Sequence, residues 1–110
     1  MTPSAKRKKG NLLVNWVADQ LKAIFQVDDT DIIVPLPHEH GEDLRFSPKF
    51  AEIHAVSYEC KNQRGYAHTY KDMEQCVKNS NGKLPALVIK APYKDPLVVL
   101  KWDDYLKLIK

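Results

Sequence analysis

The sequence predicts a single α/β domain in which a central mixed β-sheet of about five strands is flanked by helices, in the order αβββαββα. The chain has 110 residues, which is the length of one ordinary domain with a single hydrophobic core. Hydrophobic residues make up 44% and charged residues 28% of it, as in globular proteins. Along the chain, apolar positions change between helical spacing and short β-branched runs, which is typical of a fold that contains both helices and strands.

The first half of the chain predicts one helix followed by three strands. Apolar residues that recur every three or four positions favour an amphipathic helix over residues 11–26. The β-branched run at 32–34 favours a short strand, which a proline ends. A second short strand is expected at 43–46, followed by a brief connection at 49–52. Residues 53–61 carry apolar side chains on both faces, as expected for a central strand.

The second half predicts a helix, two strands and a final helix. Helical spacing favours a helix over residues 67–79, and the sequence Asn-Ser-Asn-Gly ends it. The apolar runs 85–90 and 96–101 are separated by a polar turn, so we expect a hairpin. A short C-terminal helix is expected over 105–109, with an aspartate as its N-cap.

The net charge of +3 is unevenly distributed. The first ten residues include Lys6, Arg7, Lys8 and Lys9 and no acid, so residues 11–110 hold 13 basic and 14 acidic residues. The polar N-terminal run has no apolar periodicity, so we expect a flexible basic arm over residues 1–10 and the folded domain over 11–110.

Several classes of protein are excluded by the sequence pattern. The longest apolar runs, such as Leu97–Leu100, are far shorter than the roughly 18 residues of a membrane span. No continuous apolar segment follows the N-terminal basic residues, so we expect no secretory signal and an intracellular protein. Cys60 and Cys76 are too few for a disulfide framework and are not spaced as a zinc pair.

One strand carries residues suited to catalysis. Glu59 and Lys61 are two positions apart on the third predicted strand, so their side chains leave the same face and that of Cys60 leaves the other. The simplest interpretation is a cross-strand ion pair at the end of a strand, because burying either charge alone is costly.

Asp43 makes a catalytic interpretation more favourable. If the second and third strands pair in antiparallel fashion, Asp43 lies beside Glu59, and a divalent cation relieves the repulsion between the two carboxylates. Ligands that are all oxygen favour Mg²⁺ or Mn²⁺ over zinc. Lys61 would then orient or deprotonate a water molecule that attacks phosphorus. The pattern therefore predicts a site for metal-assisted phosphodiester hydrolysis.

Two motifs and the helices around them carry a family resemblance. Gly41–Asp43, a spacer and then Tyr58–Gln63, with a helix before and a helix after, resemble the PD-(D/E)XK nuclease superfamily, above all small phage-type members and Holliday junction resolvase-like proteins. The resemblance covers most of the chain, and Glu-Cys-Lys-Asn-Gln is its most specific part.

The resemblance implies a restriction-endonuclease-like fold and a role for each matching residue. It implies that Asp43 and Glu59 are Mg²⁺ ligands, with Mn²⁺ able to substitute, and that the Cys60 carbonyl is a possible third oxygen ligand. Lys61 would be the catalytic lysine. Gln63, which has the same strand parity, would contact the scissile phosphate or its water.

The first helix departs from the pattern of the family. Many relatives carry a glutamate there as an additional metal ligand, whereas Leu13–Trp16 contains no acid. Asn15 is a weak substitute, and Asp19 lies one turn farther along the helix. We therefore expect a site for one metal ion.

The predicted partner is DNA. Lys6, Arg7, Lys8 and Lys9 suit a phosphate backbone, although such a run is also found in solubilising tails. His38 and His40 lie in the loop before Asp43. Because no further zinc ligand lies nearby, a solvated loop is favoured over a zinc site. The alternative is that one of the two histidines contacts DNA, with His40 as the candidate, or assists proton transfer. The further candidate DNA-binding residues are Arg64, Lys71 and Gln75.

The sequence therefore predicts a magnesium-dependent endonuclease that acts on branched DNA, such as Holliday junctions. Two alternatives stay open: a nuclease-fold module that binds DNA or protein without cutting, and a site-specific nicking or restriction-type endonuclease. A homodimer is implied by the resemblance alone.

Overall fold

The structure, a computed structural model, describes residues 3–36, 39–62 and 67–108, with side chains from residue 12 onward. None of the helices in these ranges is both long and apolar enough to cross a lipid bilayer. The elements are α1 (Pro3–Phe25), β1 (Ile32–Ile33), β2 (Arg45–Phe46), α2 (Pro48–Ile53), β3 (Val56–Asn62), α3 (Thr69–Lys78), β4 (Leu84–Lys90), β5 (Leu97–Val99) and α4 (Trp102–Leu108).

The strands form two sheets where the sequence predicts one. The larger sheet has the order β3-β4-β5 and is mixed, because β3 pairs with β4 in parallel and β4 pairs with β5 in antiparallel fashion. The β4–β5 pairing agrees with the expected hairpin. A separate antiparallel pair joins β1 to β2. Each of these two strands has only two residues. Because α2 begins at Pro48, two positions after β2 ends, β2 cannot continue as a longer strand, and both of its residues pair with β1.

The mixed sheet lies between two helices. One face of β4 contributes Val88 to a cluster with the buried side of α1, while the other contributes Leu87 and Ile89 to a cluster with Met73 and Cys76 of α3. Successive side chains of a strand point to opposite faces. A parallel strand covered on both faces therefore reads as a continuous apolar run.

Helix α1 is longer than the sequence pattern predicts. Its buried stripe runs from Leu13 to Leu21, inside the predicted range of 11–26. The backbone of residues 3–10 is also helical, where the sequence predicts a flexible arm. Lys, Arg and Ala are good helix formers, and a proline is well tolerated at the first helical position, so a segment without apolar periodicity can still extend a helix.

Residues 48–53 are helical, in place of the predicted connection and the predicted start of the third strand. Ser47 caps this helix: its Oγ accepts a hydrogen bond from the Phe50 amide at 3.2 Å and donates one to Asp31 Oδ1 at 2.6 Å. The Phe50 ring is buried and packs edge-on against Phe25 and Phe46. Helix α2 therefore covers one end of the larger hydrophobic cluster.

Candidate active site

A cleft of about 570 Å³ opens where the loop after β1, the strand β3 and the end of α3 meet. Strand β3 contributes Glu59, Cys60 and Lys61 to it, and Asp43 comes from the loop. The remaining lining residues are Val14 of α1, Val34–Leu36 and Glu39–Glu42 of the loop, and Gln75, Lys78 and Asn79 at the end of α3. The structure thus brings together Asp43, Glu59 and Lys61, which the sequence predicts to share a site.

Asp43 is held against the edge of β3 that is not paired with β4. Its backbone amide donates to the Tyr58 carbonyl at 3.3 Å, and its Oδ2 accepts from the Cys60 amide at 2.8 Å. The predicted antiparallel pairing of the second and third strands is wrong for the described residues, because β2 pairs with β1. Asp43 reaches β3 from the loop before β2 instead.

Glu59 is almost completely withdrawn from solvent, with 3% of its surface exposed. Lys61 lies beside it on the same face, with Nζ 3.3 Å from Glu59 Oε1. Burial raises the pKa of Glu59 to about 7, and the negative charge of Asp43 adds to this effect while Lys61 opposes it. Ionised Glu59 is therefore costly here unless a further positive charge is bound.

The ionised form of Asp43 is also disfavoured, although less than that of Glu59. Burial raises the pKa of its carboxyl group, against the Cys60 amide hydrogen bond and the charge of Lys61, which both lower it. Two neighbouring carboxyl groups whose pKa values are both raised form a site that gains from a cation.

The Cys60 sulfur lies on the other face of β3 from the Glu59 carboxylate. Its side chain is buried in the cluster with α1, and burial raises the pKa of the thiol far above its usual value. A thiol must lose its proton to bind a metal, so only the backbone of Cys60 is a candidate for the site.

The donor set suits a hard divalent cation. In the described part of the chain, no group of three or more His, Cys, Asp or Glu residues is arranged to hold a metal ion. Mg²⁺ commonly takes only one or two protein carboxylates and completes its octahedron with water and substrate phosphate. Asp43 and Glu59 fit that requirement.

Helix α1 adds no acid to the cleft. Val14 is its lining residue, while Asn15 and Asp19 are exposed and lie outside the lining. The two substitutes considered for the missing glutamate are thus not at the cleft.

The remaining predicted site residues are distributed unevenly. His40 and Gln75 line the cleft, whereas Lys71 is exposed on α3 and does not line it. Outside the described residues lie His38, Gln63 and Arg64, and the described side chains do not include those of Lys6, Arg7, Lys8 and Lys9.

Sequence reasoning did not identify the polar residues that fasten the Asp43 loop. Glu39 forms an ion pair with Arg45 at 2.5 Å and accepts a hydrogen bond from the Leu36 amide at 3.1 Å. Lys83 Nζ donates to both oxygens of Glu42, at 2.8 and 3.0 Å. The charges in a Gly-Glu-Asp turn are a weak signal, and the partner of Glu42 is 41 residues away.

Comparison with protein-family models, curated proteins and solved structures finds no match to this chain.

Proposed function

We propose that the protein is a metal-dependent DNA endonuclease that hydrolyses phosphodiester bonds, preferentially in branched DNA. The observation that carries the proposal is the placement of the Asp43 and Glu59 carboxyl groups beside the Lys61 ammonium group in an open cleft. Two acids and a lysine at one strand edge are the groups that hydrolysis of a phosphodiester with a divalent cation needs. The preference for branched DNA rests on the family resemblance.

The three residues have two roles in this mechanism. Asp43 and Glu59 would hold Mg²⁺ or Mn²⁺, with the Cys60 carbonyl as a possible third oxygen. When bound, the metal supplies positive charge to the phosphate oxygens and makes a coordinated water more acidic. Lys61, whose side chain is partly exposed, orients the attacking water and offsets negative charge that develops at phosphorus.

The surroundings of the cleft support a nucleic acid as substrate. His40, Gln75 and Lys78 line the cleft around the carboxylates and can donate hydrogen bonds to phosphate oxygens. The basic run Lys6–Lys9 continues the helix that places Val14 in the cleft wall. At 1.5 Å per residue, the backbone of this run lies roughly 8–12 Å along α1 from Val14, a distance that one DNA backbone can span.

Cleavage assays test the proposal directly. Four-way junction, duplex and single-stranded DNA are each incubated with Mg²⁺, Mn²⁺ or EDTA. We expect Asp43→Asn to reduce cleavage at least about 100-fold, because it keeps an oxygen that accepts from the Cys60 amide but removes the charge. Asp19→Asn, at an exposed carboxylate outside the cleft, is the matched control. If Asp43→Asn and Asp19→Asn cleave DNA equally well, Asp43 is not part of the catalytic site and the assignment is wrong.

One observation favours the alternative of a module that binds without cutting. Val14 is the α1 residue that lines the cleft, and no acid among the described side chains of α1 lines it, so the carboxylates available to a metal ion come from the loop and β3. DNA binding without cleavage in either metal ion would support this alternative. Cleavage of duplex DNA at one sequence, with no preference for junctions, would instead support a site-specific nicking or restriction-type enzyme.

We also infer that two copies associate through β5 and α4. Strand β5 is an edge of the mixed sheet, and its end of the molecule exposes large apolar side chains: Leu97, Val98, Trp102, Tyr105 and Leu108. Together these expose on the order of 500 Å², a large part of the roughly 800 Å² per partner in a stable interface.

Charge favours a second copy as the occupant of this surface. Lys101 and Lys107 lie 4.0 and 3.6 Å from Asp104 of the same chain, while Asp103 is exposed, so a two-fold arrangement can place a lysine of one copy beside Asp103 of the other. Sedimentation of wild type and Trp102→Glu tests this inference. We expect a dimer that the substitution converts to a folded monomer, and a monomeric wild type would contradict it.

A further inference from the structure

Lys83 and Glu42 form a partly buried ion pair between the Asp43 loop and the sheet. Glu42 directly precedes Asp43, and Lys83 directly precedes β4. Lys83 Nζ lies 2.8 and 3.0 Å from the two Glu42 oxygens, and the side chains are only 20% and 11% exposed. Lys83 Nζ also lies 5.6 Å from the centre of the Phe46 ring, so the ammonium group has contacts on two sides.

Stability alone is a poor explanation for this pair. A buried ion pair often contributes less to stability than well-packed apolar side chains in the same volume, because both charges lose their water. What such a pair does supply is a defined geometry between the two segments that carry it. Here those segments are the loop that carries Asp43 and the residue directly before the sheet's central strand.

The Asp43 loop needs an anchor of this kind. Leu44, directly after Asp43, is buried in the larger hydrophobic cluster and fixes the C-terminal side of the loop. On the N-terminal side, Gly41 has a φ of 106°, and a Cβ built on it would have no atom within 4 Å, so Gly41 itself makes no such packing contact. Asp43 itself is attached to β3 by two hydrogen bonds, while the charge of Glu59 repels its carboxylate. On the outer side, Arg45 is bonded to Glu39 and to the His40 carbonyl.

We propose that Glu42 and Lys83 are positioning residues, whose ion pair holds the Asp43 carboxylate at the edge of β3 in the geometry that metal binding requires. The part that concerns the metal rests on the proposed function. The part that concerns geometry is independent of the proposed function, because it says only that the ion pair maintains the hydrogen bond between the Cys60 amide and Asp43.

Two variants and a matched control test the proposal. Lys83→Met keeps an unbranched side chain but removes the charge, and Lys83→Arg keeps the charge and can bond to both Glu42 oxygens. Lys22→Met is the control, because Lys22 is 22% exposed and forms an ion pair with Asp29, neither of which lines the cleft.

The first measurement is amide hydrogen exchange in the metal-free protein. We expect Lys83→Met to speed exchange of the Cys60 amide at least about tenfold relative to the Val88 amide of the same sheet. Lys83→Arg and the Lys22→Met control should leave this ratio unchanged. A general loss of stability would speed both amides equally, and an unchanged ratio in Lys83→Met would overturn the proposal.

The second measurement is the affinity of the protein for Mn²⁺ in the absence of DNA. The concentration of free Mn²⁺ is measured from its electron paramagnetic resonance signal. We expect Lys83→Met to weaken binding by about 10- to 100-fold, as substitution of residues that orient metal ligands typically does, and Lys83→Arg to restore it. Weakened binding that Lys83→Arg does not restore would overturn the positioning role. A wild type that neither binds Mn²⁺ nor cleaves DNA would contradict the proposed function, and the exchange ratio would still decide the positioning role.

Discussion

Replacing Glu59 by glutamine should remove much of the dependence of the metal-free protein's stability on pH. Glu59 is 3% exposed, and its burial, together with the charge of Asp43, raises its pKa from 4.5 to about 7. The folded state therefore holds this proton more tightly than the unfolded state does. The contribution of protonated Glu59 to the free energy of unfolding is fully present below about pH 4.5. It is lost as the pH rises through 7.

The size of the effect follows from the difference in pKa. A change from 4.5 to about 7, at about 1.4 kcal/mol per pH unit, corresponds to about 3 kcal/mol in the free energy of unfolding. Glutamine has nearly the same shape but carries no charge at any pH. Between pH 4.5 and pH 8, the free energy of unfolding of the wild type should therefore fall by about 3 kcal/mol more than that of Glu59→Gln.

Urea unfolding in EDTA, followed by tryptophan fluorescence from pH 4.5 to pH 8.5, measures this difference. Glu52→Gln is the control, because Glu52 is an exposed carboxylate and its substitution should leave the wild-type pH dependence unchanged. If Glu59→Gln and the wild type lose stability in parallel as the pH rises, Glu59 does not have the raised pKa on which the reasoning depends.

Four further results are expected. Phe50→Ala should lower the free energy of unfolding by about 3–5 kcal/mol in urea titrations, whereas Tyr93→Ala, at a fully exposed ring, should change it little. Ser47→Ala should cost about 1–2 kcal/mol in the same assay, because it removes the α2 cap. Changing Lys6–Lys9 to glutamine should reduce the slope of log K for DNA binding against log salt by up to about 4, and an unchanged slope would exclude phosphate contacts there. Saturating Mg²⁺ should restore the stability of the wild type at pH 8 but leave Glu59→Gln little changed, as melting curves with and without the ion would show.

The elements that sequence reasoning located well are those with a pattern confined to one segment. The helix expected at 67–79 is α3 (Thr69–Lys78), and the strands expected at 85–90 and 96–101 are β4 (Leu84–Lys90) and β5 (Leu97–Val99). Apolar spacing specifies such an element because the same residues that form it also bury its face. Helix α2 has only six residues, too few for a period, although Ser47 followed by a proline is an N-cap pattern.

The relation between Glu59 and Lys61 was predictable for the same reason. Two residues that are two positions apart on a strand share a face whatever the rest of the chain does. The nearness of Asp43 was expected from strand pairing, but it arises from two hydrogen bonds made by the loop before β2. The chain separation of that contact is 17 residues, and no local pattern encodes its geometry.

By itself, the sequence determined helix α3 and strands β4 and β5, the face shared by Glu59 and Lys61, and the local excess of positive charge near the N-terminus. Only the tertiary structure decided the division of the strands into two sheets, the burial that raises the pKa of Glu59, and the ion pair of Glu42 with Lys83. The first group depends on residues a few positions apart, whose spacing alone fixes their geometry. The second depends on segments distant in the chain, whose contacts form only when packing on the mixed sheet brings them together.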